Sequence, residues 1–107
     1  MTGAYAFTCK EPTTDNLLHR LNQLGGWKWV MGDSHWYGDY VATVPFAGVR
    51  IRIVDFPGRT EDGQFTYECD VRRAADCPTT MEEVDAAFRA VLEQLPARDV
   101  HEIEWFD

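Results

Sequence analysis

The chain has 107 residues, with 18 Asp+Glu against 10 Lys+Arg and a formal net charge of −8. That length suits one domain, and it can bury a core without disulfides or metals, which become necessary only below about 40 residues. The acidic balance argues against duplex nucleic acid, and no apolar run approaches the ~20 residues of a membrane helix.

Residues 4–9 alternate, with Tyr5, Phe7 and Cys9 on one side and Ala4, Ala6 and Thr8 on the other, which predicts a half-buried strand. Glu11-Pro12-Thr13-Thr14-Asp15 breaks it and offers side-chain oxygens for a helix N-cap. Leu17, Leu18, Leu21 and Leu24 then form a helical stripe, and Gly25-Gly26 ends it. The expected helix is Thr14–Leu24.

The middle of the chain reads as an antiparallel meander. Trp27, Trp29 and Met31 alternate with Lys28 and Val30, Gly32-Asp33-Ser34 signals a turn, and Trp36 to Val44 is the next run. Val49-Arg50-Ile51-Arg52-Ile53 separates aliphatic from basic residues, and Gln64 to Arg72 follows a long polar turn. Pairing these last two strands so that position numbers sum to 120 sets Arg52 opposite Glu68 and Arg50 opposite Asp70, a charge ladder behind an apolar face. Extending the logic sets Val44 opposite Val49, Ala42 opposite Ile51 and Tyr40 opposite Ile53. Trp27 then meets Tyr40, and that pair is assigned to the core.

Thr80-Met81-Glu82-Glu83 is a capping-box pattern, and the Val84-Ala87-Phe88-Val91-Leu92-Leu95 stripe predicts a helix ended by Pro96. Residues 100–106 alternate again and suggest a last strand. The order β-α-β-β-β-β-α-β, with two singly amphipathic helices, predicts an α+β two-layer sandwich: a mainly antiparallel sheet with both helices on one face.

No segment carries a specific catalytic, nucleotide or metal signature. His35 with Asp33 or Asp39 is the weak catalytic candidate, for a small hydrolase or isomerase, because imidazole titrates near neutrality; Asp-Ser is equally common turn chemistry. His19, His35 and His101 lie on separate elements without a second ligand at i+3 or i+4, so no metal or other cofactor is expected. Cys9 and Cys69 read as core filler; Cys77 precedes a helix but has no evident base beside it. Three thiols without a disulfide or zinc pattern, and no basic-then-apolar leader, read as a cytoplasmic protein.

Charge supplies the remaining expectation. Residues 79–107 hold eight acids against two bases, −6 of the total −8. Glu82, Glu83, Asp85, Glu93, Glu102 and Glu104 are expected to form one outward acidic patch, with an exposed Trp36 or Tyr37 at its margin. Such a surface suits a binding module, inhibitor- or immunity-like, acting on a basic protein. A second copy, docked on the free sheet face, is the other partner considered.

Overall fold

The computed structural model describes residues 2–34, 38–59 and 63–104. Among them, strands β1 (Thr2–Cys9), β2 (Val30–Ser34), β3 (Gly38–Thr43), β4 (Val49–Arg59), β5 (Phe65–Arg73) and β6 (Arg98–Glu102) alternate with helices α1 (Thr14–Gln23) and α2 (Met81–Gln94) in the expected order. The strands form one antiparallel sheet, ordered β2-β3-β4-β5-β1-β6. The first strand thus lies near the far edge, between β5 and β6.

Both helices start where the sequence places an oxygen cap. The Thr13 hydroxyl accepts from the Asn16 N–H at 3.1 Å, and the Thr80 hydroxyl accepts from the Glu83 N–H at 3.2 Å. Leu17 and Leu21 of α1 join Val84, Phe88 and Leu92 of α2 in one buried cluster. That cluster takes Tyr5, Phe7, Cys9, Val49, Ile51, Ile53, Tyr67, Cys69 and Val71 from the sheet, all on one face. The molecule is therefore an α+β two-layer sandwich with both helices on the same side, and no described helix is long and apolar enough to cross a membrane.

The registers differ from expectation. In β4–β5 the partners are Arg52↔Asp70 and Arg50↔Arg72, a sum of 122 instead of 120. An even shift keeps every side chain on its face, so the apolar set is preserved while the charge pairs change. Nearer the hairpin the register changes again: between Asp55↔Tyr67 and Arg59↔Phe65, four positions on β4 match two on β5. Glu68 consequently faces Val54 and Ala6, not Arg52, and burial pushes its carboxyl above the ordinary range.

Between β3 and β4 the shift is odd. Val41 pairs with Ile53 and is fully buried, while Tyr40 pairs with Val54 and Ala42 with Arg52. Tyr40 thus lies on the open face, not in the core. Two contacts account for this. Thr43, turned inward, donates its hydroxyl to the Lys28 carbonyl at 2.7 Å, so its burial leaves no unpaired group. The Tyr40 ring lies over Gly32, where a Cβ would stand 2.4 Å from it, and the Arg52 guanidinium sits 5.8 Å from the ring centroid.

The β2–β3 ladder pairs Val30 with Ala42, so Trp27 precedes the strand and does not meet Tyr40. Trp29 is buried, its backbone N–H and C=O both held by the Asn22 side-chain amide. Trp27 packs beside Trp29 and Phe46, against the core.

Candidate functional site

Asp85 of α2 and Glu102 of β6 come together through one row of the sheet. β6 pairs with β1 so that Glu102 stands opposite Tyr5. The Tyr5 ring passes under α2, 6.1 Å from that of Phe88, and its hydroxyl donates to Asp85. Arg89, one turn further on, donates from Nε to Asp85 at 3.1 Å and lays its guanidinium 5.2 Å above the Tyr5 ring. Glu82, Asp85, Arg89 and Glu93 share a helix stripe by their 3-4-4 spacing. Glu93 and Arg89 also line a 140 Å³ recess with Val100 of β6. The seam between α2 and β6 is therefore an acidic strip with one arginine set in it.

Electrostatics follow from that packing. Burial and the bond to Asp85 raise the Tyr5 phenol well above its ordinary value, with Glu102 adding in the same direction. The hydrogen bond to Asp85 raises Arg89 further still, so the guanidinium stays charged.

Asp85, expected in the acidic patch, is about one-third exposed, and its carboxylate is engaged by Tyr5 and Arg89. Residue 85 flanks the apolar stripe immediately after Val84, and a tyrosine 80 positions away supplies its partner. Glu82, Glu83, Glu93, Glu102 and Glu104 are exposed.

His35, Trp36 and Tyr37 lie outside the described residues. Their neighbours Asp33 and Asp39 stand directly opposite one another at the end of the β2–β3 ladder, both exposed. β2 and β3 occupy one end of the sheet, separated from β6 by β4, β5 and β1. The acidic seam and the β2–β3 pair are thus different regions of the molecule. Among the described residues, no group of three His, Cys, Asp or Glu side chains could hold a metal ion. Cys9 and Cys69 are buried, and Cys77 donates weakly to the Ala47 carbonyl at 3.2 Å.

Two basic concavities escaped the sequence reading. One, of about 390 Å³, brings Lys10, Arg20 and Arg98 together beside Glu11 and Gln64. The other, of about 410 Å³, is lined by Arg50, Arg72 and Arg73 with Val44 and Val49. Only the Arg72-Arg73 pair is adjacent in sequence; the other cations converge through the topology. Against models of known protein families the chain finds no match, and a comparison with curated proteins finds none either.

Proposed function

We propose that the chain is a small cytoplasmic protein-binding module whose acidic α2–β6 seam receives a basic protein, in the manner of a neutralising inhibitor. The observation that supports this reading is the Tyr5–Glu102 pairing beneath Asp85, which sets the acids of β6 alongside those of α2. Exposed Glu82, Glu93 and Glu102 then lie along a seam in which Arg89 is already engaged by Asp85. Such a field speeds the encounter with a positively charged partner more than it tightens the complex. Asp85 has a different part in this reading: bound to Tyr5 and Arg89, it holds the seam in shape.

The test is a triple reversal, Glu82→Lys, Glu93→Lys and Glu102→Lys, at positions whose side chains are exposed. A partner captured from the native host at low salt, then purified, should associate with the variant at least tenfold more slowly and with a flatter salt dependence. Unchanged association by a variant with wild-type circular dichroism would overturn the reading.

A further inference from the structure

The arginine groove on the central strands β4 and β5 carries an inference that does not depend on the acidic seam. Arg50 and Arg72 are direct cross-strand partners on the open face. Like charges placed opposite each other destabilise a ladder; Asp70 offsets Arg72, while Arg50 adds its charge on the same face. Arg73 lines the same groove, its Nη1 donating to the Cys77 and Thr79 carbonyls at 3.1 and 3.2 Å. Among the described residues, no carboxylate lines the groove. The nearest acid along the strand, Asp70, is bound by Arg52 and by Arg72 Nε, each at 3.0 Å. Arg50 is exposed and has no ion-pair partner among the described residues.

The walls are fixed by bonds between two loops. The Ala74 N–H donates to the Gly48 carbonyl at 2.8 Å, and the Cys77 thiol donates to Ala47. Gly48 has φ +82°, and a Cβ there would stand 3.2 Å from that of Cys77, so glycine is what lets the loops close. Beside the cations lies an apolar shelf: Val44 is 68% exposed, with Val49 and Ala74 next to it. Three arginines thus line an open groove beside the exposed Val44, in a chain of net charge −8.

We propose that this groove binds a small phosphate monoester, its phosphoryl group between Arg50 and Arg72 and its organic part on Val44. Guanidinium forks match phosphoryl oxygens bidentately, and a dianion with three terminal oxygens can engage two forks at once. A carboxylate, with one charge and two oxygens, is matched by one fork.

The experiment is an amide chemical-shift titration of the intact chain with phenyl phosphate, methyl phosphate and benzoate, at low and high salt. Saturable shifts are expected at residues 44–50 and 72–74, with phenyl phosphate binding tighter than methyl phosphate and at least tenfold tighter than benzoate. Arg50→Gln should weaken phenyl phosphate at least tenfold without changing the melting temperature. Lys10→Gln, in the other basic concavity, should change neither. The proposal is overturned if no saturable shift appears at these residues, if benzoate binds as tightly as phenyl phosphate, or if Arg50→Gln binds like the wild type.

Discussion

On the covered face of the sheet, Ile51 and Ile53 pair with Val71 and Cys69 and are fully buried in one cluster with Leu17 and Phe88. On the open face, Arg52 pairs with Asp70, and that carboxylate reaches 2% exposure with guanidinium groups on two sides. The first face excludes water with aliphatic and aromatic surface supplied by helices. The second excludes it locally, by charged side chains that lie across one another. The difference bears on function, because covered-face residues are committed to stability while the open face keeps Arg50, Arg72 and Val44 within reach of a ligand. The largest single test is Phe88→Ala, which removes the ring that α2 sets against Tyr5 and should cost about 3–5 kcal/mol in urea unfolding. A loss under about 1 kcal/mol would mean that the covered face does not depend on α2 in this way.

Asp70→Asn probes the other face. It removes the charge that Asp70 sets against Arg52, whose side chain is only 12% exposed. The expected loss is about 2–3 kcal/mol, below the 3–5 typical of broken buried pairs, because Arg72 stays in water. It should shrink further in a double variant with Arg52→Met, which removes the stranded cation. Additive losses in that cycle would show that the two residues are not coupled.

The faces also differ in their response to alkali. Burial pushes the Cys9 thiol up to about 11 and raises Cys69, Tyr5 and Tyr67, all on the covered face. In the unfolded chain these groups release their protons first, near pH 9 for thiols and near pH 10 for phenols. Stability is therefore full below pH 9 and falls above it, by up to about 1.4 kcal/mol per pH unit for each group titrating only when unfolded. Urea midpoints from pH 8 to 11 would show the decline. Cys9→Ala should make it shallower, and an unaltered slope would remove Cys9 from the account.

These contrasts were only partly legible in the sequence. Alternation of Ile and Val with Arg in β4, and of Cys and Val with Glu and Asp in β5, assigns both strands their faces because period two is local. Register is not local: sums of 120 and 122 bury the same side chains, and alternation carries no signal for where the hairpin closes. Alternation alone assigns β3 the wrong face, because Tyr40, Ala42 and Val44 look more apolar than Val41 and Thr43. What reverses that order is a hydroxyl bond to Lys28 and a glycine opposite Tyr40, neither visible as hydrophobicity. The C-terminal acids were legible as composition, and the seam only through the pairing of β1 with β6.

Tyr5→Phe gives the smallest effect and separates packing from polarity at the seam. The ring and its edge contact with Phe88 stay, while the hydrogen bond to Asp85 is lost. Asp85 is about one-third exposed and keeps Arg89, so water can replace the lost donor and the cost should be near 1 kcal/mol. The substitution also removes one of the four raised groups, so the alkaline decline should become shallower above pH 10 and stay the same between pH 9 and 10. Thiol and phenol contributions are thereby distinguished in one protein. If Tyr5→Phe instead cost as much as Phe88→Ala, the hydroxyl would be holding α2 in place. The seam would then be part of the core's support and not a surface laid upon it.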